Sequence, residues 1–169
     1  SQRQTKKWGY TMMTPDAETV FDIETDGLLD KLTKIHVLSY QTVAMDEPRS
    51  IFDYDEMRDF FLGYSMDHTL ALAGHNIVRF DIPAVEKVLG IKVNAKLVDT
   101  LGLSWYLHHN RAKHGLAVYG EEYGVPKPKV DDWEGLSKEE YAHRCEEDVK
   151  INVRLWRDLK RKLEKLYEQ

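Results

Sequence analysis

The chain has 169 residues, of which 42% are hydrophobic and 31% are charged, a composition typical of one globular domain with a buried core. It contains no apolar run near the length of about 18 residues that a membrane span requires, so we expect no membrane partner. Its single cysteine excludes an internal disulfide and is typical of a reducing compartment such as the cytoplasm. The formal net charge of −5 does not favour nucleic-acid binding, for which most proteins are basic.

The order of the predicted elements indicates an α/β fold. Residues 1–16 are predicted as a polar N-terminal segment and residues 17–169 as a single domain. We predict five strands, over Glu18–Glu24, Thr33–Tyr40, Ser50–Tyr54, Leu70–Gly74 and Lys96–Val98. We predict helices over Asp55–Tyr64, Ile82–Leu89, Thr100–Leu107, Leu116–Tyr123 and from Ser137 onward. A loop is predicted over Val125–Glu134. Three consecutive strands favour an antiparallel meander, and the later alternation favours parallel strands with crossover helices. A mixed sheet covered by helices is therefore expected.

Two acidic residues occupy one face of the first predicted strand. Asp22 and Glu24 point the same way because side chains alternate between the two faces of a strand. Neighbouring carboxylates repel each other, and a divalent cation relieves this repulsion because hard cations prefer carboxylate oxygen. A solvent-facing edge strand remains an alternative for this pair alone, since Asp53 and Asp55 have the same spacing.

A third acid, Asp81, follows the strand predicted over Leu70–Gly74. It stands after His75 and Asn76, at the mouth of the helix that contains Pro83. Sites in open α/β sheets collect just outside the carboxyl ends of strands. Asp81 can also be the N-cap of that helix, and the two roles are compatible because a capping carboxylate can face a metal-bound water.

The fourth acid, Asp148, lies in the long C-terminal helix. The sequence from Ser137 to Glu140 is a capping box and predicts where this helix begins. A buried stripe is predicted at positions 149, 153, 156, 159, 163 and 166. Any one acid on a helix is usually solvated, but Val149 and Val153 lie on the buried side, so Asp148 is expected at the edge of the packed face.

These three segments together resemble the three exonuclease motifs of the DEDD superfamily. The matching sequences are Phe-Asp-Ile-Glu-Thr-Asp-Gly-Leu at residues 21–28, His-Asn-x-x-x-Phe-Asp at residues 75–81, and the final Asp-Val at residues 148–149. They are most similar to the proofreading exonuclease domains of family A DNA polymerases from phages, over about residues 19–156. The resemblance implies an RNase H-like fold, a five-stranded mixed sheet with helices on both faces.

The resemblance also implies a hydrolase, a metal-dependent 3′–5′ exonuclease that removes nucleoside 5′-monophosphates from the 3′ end of single-stranded nucleic acid, with DNA favoured over RNA. It implies two Mg²⁺ or Mn²⁺ ions per site, bound by the catalytic residues Asp22, Glu24, Asp81 and Asp148. Asp22 would bridge both ions, and Glu24 and Asp148 would complete the shell of the first. Asp81 would act mostly through a metal-bound water.

Further roles are implied by the same resemblance. Asn76 would contact the terminal nucleotide, Leu28 would wedge against its base, and Thr25 would lie in the same substrate-binding region. Asp99 would be structural, as a helix N-cap. A polymerase or another replication protein is a possible class of partner that the sequence does not identify, and a phage-encoded chain would work in the host cytoplasm.

Positive charge for the substrate phosphates is concentrated in three stretches, residues 108–114, 127–129 and 160–162. In the first stretch, Arg111 and Lys113 are candidates for phosphate contacts, and a solvated surface is an equal alternative. For the third stretch a solvated surface is the preferred interpretation.

The position of the general base departs from the phage domains, whose subtype has tyrosine four residues before the final aspartate. Here that residue is Arg144, which cannot lose its proton near neutral pH. His143, five residues before Asp148, has the spacing of the histidine subtype and is the favoured base. In a regular helix, however, Arg144 shares the face of Asp148 and His143 does not. Arg144 as an electrostatic clamp on a phosphate is therefore the alternative.

Two other functions remain open. An exoribonuclease of the same fold would need few sequence changes, because a backbone carbonyl can recognise the 2′-hydroxyl group. A non-catalytic RNase H-like nucleic-acid-binding module would have a vestigial site, and the presence of all four acids argues against it.

Overall fold

The computed structural model describes residues 18–125 and 135–168. The predicted N-terminal segment, nearly all of the predicted loop over Val125–Glu134 and the basic stretch at residues 127–129 lie outside the described residues. Within the described residues, no helix is both long and apolar enough to cross a membrane.

The described part of the chain forms one five-stranded mixed sheet with the strand order β3-β2-β1-β4-β5. The strands are β1 Glu18–Thr25, β2 Ile35–Thr42, β3 Arg49–Ile51, β4 Ala71–Gly74 and β5 Lys96–Asp99. The first three strands pair antiparallel, whereas β4 is parallel to both β1 and β5. This confirms the predicted meander followed by parallel crossovers, and it makes β1 the central strand.

Five α-helices connect and cover the strands. They are α1 Tyr54–Met66, α2 Ile82–Leu89, α3 Thr100–Leu107, α4 Leu116–Tyr123 and α5 Lys138–Tyr167. The predicted bounds of α2, α3 and α4 agree with the structure. The capping box is present, because the Ser137 side chain accepts from Glu140 N–H while the Glu140 side chain accepts from Ser137 N–H. It fixes the start of α5 and satisfies two backbone donors of its first turn.

The alternation of β1 divides the core between the two faces of the sheet. Phe21 and Ile23 pack on the face that α1 and α2 cover, where Phe61 meets Phe21 edge to face at 5.5 Å between ring centroids. Val20 packs on the other face, against α5 residues that include Leu155. Burying each of these large side chains stabilises the fold by about 1.5–3 kcal/mol. The predicted helices on both faces are confirmed.

The strand predicted over Thr33–Tyr40 lies at Ile35–Thr42, and the helix predicted over Asp55–Tyr64 lies at Tyr54–Met66. Two further predicted elements require correction. The strand predicted over Ser50–Tyr54 ends at Ile51, because Asp53 accepts a hydrogen bond from Glu56 N–H at 3.0 Å and begins α1 at the next residue. Of the stripe predicted on α5, the last member, Leu166, is 43% exposed, because the helix extends past the sheet.

Candidate metal centre and active site

The first two carboxylates lie on the central strand. Asp22 and Glu24 are half-buried on the face of β1 that α5 covers, and they alternate with the buried Phe21 and Ile23 of the opposite face. The central position matters, because β2 pairs with β1 over Thr19–Thr25 and β4 pairs with it over Glu18–Val20, just before the two acids. The two carboxylates are therefore held on a rigid support rather than on the solvent-facing edge strand that remained an alternative.

Asp81 reaches the carboxylate pair through a distorted turn after β4. Residues Ile77–Asp81 form a π-helical turn, in which the Ile82 N–H donates to the Ile77 carbonyl oxygen. The turn begins at Asn76, whose φ of 64° lies in the left-handed region. It runs directly into α2, so the Asp81 backbone is already helical and its side chain makes no capping hydrogen bond. The N-cap role considered for Asp81 is therefore wrong, and its carboxylate is available for another partner.

Asp99 holds this turn in place. One of its carboxylate oxygens accepts from Asn76 N–H at 2.9 Å, and the other accepts from Val78 N–H at 3.1 Å. The first oxygen also accepts from Leu101 N–H at 3.0 Å, which caps α3. The predicted structural role of Asp99 is confirmed, and it extends to fixing the backbone before Asp81.

The fourth carboxylate approaches from α5. Asp148 is 5% exposed, and Arg144, one helical turn earlier, is 7% exposed. Between them lies Cys145, which is fully buried and whose Sγ donates to the Asp22 carbonyl oxygen at 3.3 Å. This contact places the α5 segment that contains Asp148 directly against the Asp22 end of β1.

Electrostatic interactions join the four carboxylates into one group. Burial raises the pKa of Asp81 well above its ordinary value, with further contributions from Asp99 and Glu24. Burial also raises the pKa of the Cys145 thiol, and Asp22, Glu24 and Asp148 add to the shift. The second observation shows that Asp148 and the β1 pair all lie near the Cys145 thiol. Four acids from three separated parts of the chain therefore occupy one edge of the sheet.

The arrangement fits divalent cations. Oδ2 of Asp81 is buried and has no hydrogen-bond partner among the described residues, although a buried carboxylate oxygen normally has one. Asp22, Glu24 and Cys145 each offer a ligand atom, and these three atoms lie within 4.8 Å of one another. A cation would balance the clustered negative charge and satisfy the orphaned oxygen, since carboxylates are the preferred ligands of hard ions.

The predicted substrate-binding residues divide into two groups. Near the carboxylates, Leu28 is 75% exposed beyond the end of β1, and Thr25 Oγ1 donates to the Gly27 carbonyl at 2.9 Å. Arg111 instead pairs with Glu122 and lies over the Tyr119 ring at 4.3 Å. It is held against α4, while its neighbour Lys113 is exposed.

His114 is not the surface residue that the basic-stretch interpretation requires. It is 4% exposed, its Nδ1 lies 2.6 Å from Ser104 Oγ, and its ring stacks on Trp105. Its carbonyl oxygen lies 2.7 Å from His75 Nε2. This buried polar network, which the sequence pattern did not indicate, ties the residue after β4 to α3 and the loop before α4.

Between the two candidates for the base position, the geometry favours Arg144. The α5 helix is regular from Lys138 onward, so Arg144 faces inward with Asp148, whereas His143 lies on the exposed side. His143, the favoured base from its spacing, would need a later or distorted start of this helix to face the carboxylates. The catalytic role of either residue stays a prediction.

No protein-family model and no curated protein sequence matches this chain. Several solved structures share its fold. NrnC from Brucella melitensis is 21% identical, with a TM-score of 0.69 over 88% of this chain and 74% of that chain, and NrnC has also been solved with bound Mg²⁺ and bound to pGG. The catalytic core of RRP6 from Trypanosoma brucei is 16% identical, with a TM-score of 0.63 over 93% of this chain and 44% of that chain. Exonuclease X in complex with 5′-overhanging duplex DNA is 18% identical, with a TM-score of 0.54 over 86% of this chain and 92% of that chain. These likenesses confirm the predicted RNase H-like fold.

Proposed function

We propose that the chain is a metal-dependent 3′–5′ exonuclease that releases nucleoside 5′-monophosphates from single-stranded nucleic acid. The proposal is supported by the closeness of Asp22 and Glu24, by the electrostatic link between Asp81 and Glu24, and by the shared effect of Asp22, Glu24 and Asp148 on Cys145. A stable fold gains nothing from clustering four acids, because their mutual repulsion and burial cost free energy. Their arrangement is therefore best explained by a role in binding cations.

The four carboxylates would hold two Mg²⁺ or Mn²⁺ ions at the terminal phosphodiester. When bound, such ions acidify the attacking water and neutralise the leaving 3′ oxygen. Asp99 keeps the turn before Asp81 rigid, and the buried face of α5 keeps Asp148 in register with β1. Arg144 lies one turn before Asp148 and clamps the phosphate by its charge. The Mg²⁺ bound by NrnC supports the choice of ion.

Single-stranded DNA is the substrate we favour. A site that encloses the last phosphodiester requires a free 3′ end, so a paired terminus has to separate first. Leu28 is exposed four residues beyond Glu24 and can pack against the terminal base. The motif resemblance to the phage proofreading domains supports DNA as the substrate and a replicative polymerase as the class of partner. The pGG bound to NrnC and the DNA bound to Exonuclease X support a nucleic-acid substrate in general.

Digestion of 5′-labelled single-stranded DNA and RNA, with Mg²⁺, Mn²⁺ or EDTA, tests the proposal. We expect a ladder that shortens from the 3′ end, requires metal and forms faster on a single strand than on a blunt duplex. Asp22→Ala should lower the rate by at least about a thousandfold, because charge stabilisation by bound metal is worth several kcal/mol. Asp59→Ala removes an exposed acid of α1 and is the matched control. Near-parent digestion by a folded Asp22→Ala variant would contradict the assignment.

A further inference from the structure

The only cysteine of the chain lies inside the carboxylate cluster. Cys145 is 0% exposed, and its Sγ lies 3.7 Å from Oδ2 of Asp22, in addition to its contact with the Asp22 carbonyl oxygen. A thiol adds nothing to the binding of Mg²⁺, which takes oxygen ligands. Its location among the acids therefore calls for an explanation other than the proposed exonuclease reaction.

The distances suit an ion that takes sulfur as well as oxygen. A sulfur and an oxygen that both bind one tetrahedral zinc ion lie roughly 3.5–3.7 Å apart, because the Zn–S bond is about 2.3 Å and the Zn–O bond about 2.0–2.2 Å. The 3.7 Å between Cys145 Sγ and Asp22 Oδ2 agrees with this spacing, and Glu24 offers an oxygen within 4.8 Å of both.

A second, independent feature points to a cation in the same place. Asp81 is only 4% exposed, and its Oδ2 has no hydrogen-bond partner among the described residues. The groups that shift the pKa of Asp81 include the backbone of Ile23, the residue between Asp22 and Glu24, and the Glu24 carboxylate. The orphaned oxygen is thus held beside the two acids.

We propose that Asp22, Glu24 and Cys145 form a site for a thiophilic divalent ion, Zn²⁺ or Cd²⁺, which excludes Mg²⁺ and switches the nuclease off. The inference rests on the proposed function, since it shares two ligands with the catalytic site. Zn²⁺ binds sites of mixed oxygen and sulfur ligands more tightly than Mg²⁺ or Mn²⁺ does. On binding, the ion replaces the thiol proton, which leaves to solvent.

Inhibition follows from the shared ligands. An ion drawn toward Cys145 takes Asp22 and Glu24 away from the positions that two Mg²⁺ ions require, so the pair of catalytic ions cannot assemble while it is bound. Inhibition by Zn²⁺ should therefore be competitive with Mg²⁺.

Titration of the whole chain with Cd²⁺ in Mg²⁺-free buffer tests the site directly. A thiolate bound to Cd²⁺ gives an ultraviolet charge-transfer band, and the single cysteine assigns that band to Cys145. We expect a band that saturates at one Cd²⁺ per chain, fades when Zn²⁺ is added and weakens in excess Mg²⁺. Asp22→Asn and Glu24→Gln should each weaken Cd²⁺ binding at least about tenfold, and Asp59→Asn should not. Cys145→Ser should give no band.

The outcomes are separable from those for the proposed function. Absence of the band in the folded parent, or an unchanged Cd²⁺ midpoint in Asp22→Asn and Glu24→Gln, overturns the mixed-ligand site even if Mg²⁺-dependent digestion is robust. If the chain gives a saturable Cd²⁺ band but digests no nucleic acid, the proposed mixed-ligand metal site stands and the proposed exonuclease function is wrong. If Cys145→Ser does not fold, the parent titration and the two carboxylate variants still decide.

Discussion

Asp26, which follows the Asp22–Glu24 strand, holds the turn from β1 to β2. Its carboxylate accepts from the Thr33 hydroxyl at 2.5 Å, from Thr33 N–H at 2.8 Å and from Lys34 N–H at 3.0 Å. These hydrogen bonds, the Thr33 hydroxyl above all, lower the pKa of Asp26 below its ordinary value. The charged form is therefore favoured by folding, and it fixes the loop from which Leu28 projects.

The stabilising effect of Asp26 should depend on pH. A lowered folded pKa gives a contribution that is full above the unfolded pKa, near 3.9, and is lost as the pH falls toward the folded value. Asp26→Ala should melt below the parent at pH 7, and the difference should narrow as the pH falls toward 3. Asp30→Ala, in the same loop, should match the parent at both pH values. A difference that does not change between pH 7 and pH 3 would contradict the role of the charge.

The roles of Arg144 and His143 can be separated by paired substitution. Because Arg144 faces inward with Asp148, Arg144→Ala should lower the rate about a hundredfold, the usual cost of losing one charge-stabilising donor. His143→Ala, on the exposed side, should remain within a few-fold of the parent, and the pH–rate profile should show no step at the ordinary histidine pKa near 6.5. If His143→Ala loses most of the activity and Arg144→Ala keeps a rate near that of the parent, the histidine is the base and the inference from the helix geometry is wrong.

Sequence and structure agree unevenly at the scale of single residues. The capping role of Ser137 could be predicted because it depends on neighbours a few positions away, whereas that of Asp99 came from the motif resemblance. The burial of His114 and the approach of Cys145 to Asp22 could not, because both depend on contacts between distant parts of the chain. For the same reason the metal-ligand potential of Cys145 had no signal in the local sequence.

Among the secondary-structure elements, the π-helical turn Ile77–Asp81 was not predicted, although both flanking elements were. Hydrophobic periodicity distinguishes helices from strands but carries no signal for one extra residue in a single turn. Such turns are frequent at functional sites. Here the extra residue allows Ile77 to remain in the core while Asp81 faces the β1 carboxylates.

Deleting one residue from this turn should therefore separate folding from activity. Arg79 is exposed within the turn, and removing it would change the direction of Asp81 relative to Ile77 by about 100°, one helical step. We expect a folded variant whose rate falls at least about a hundredfold, as small displacements of catalytic groups commonly cause. Arg79→Ala, which keeps the length of the turn, is the control and should stay near the parent rate. Equal activity in both variants would show that the turn does not position Asp81.

At the scale of the whole molecule, the net charge is acidic, and part of the acidic charge lies where cations are proposed to bind. The formal net charge is −5, and among the clustered acids burial raises the pKa of Asp81, with Asp99 and Glu24 adding to the shift. The fold class and the antiparallel or parallel sense of the strands could be predicted because both follow from the sequence of elements. The convergence itself came from the motif resemblance, since no periodicity connects Asp22 with Asp148.

Divalent cations should stabilise the folded chain. They bind the assembled carboxylates and not the unfolded chain, so at about ten times the dissociation constant the gain is about 1.4 kcal/mol, or about 3–6 °C in melting temperature for a chain of this size. Asp22→Ala should melt at or above the parent in EDTA, because it removes one of the repelling charges, and should lose most of the shift caused by Mg²⁺ or Mn²⁺. Asp59→Ala should keep the full shift. If the parent melts at the same temperature in EDTA and in millimolar Mg²⁺ or Mn²⁺, the carboxylate cluster does not bind these cations and the proposed metal site is wrong.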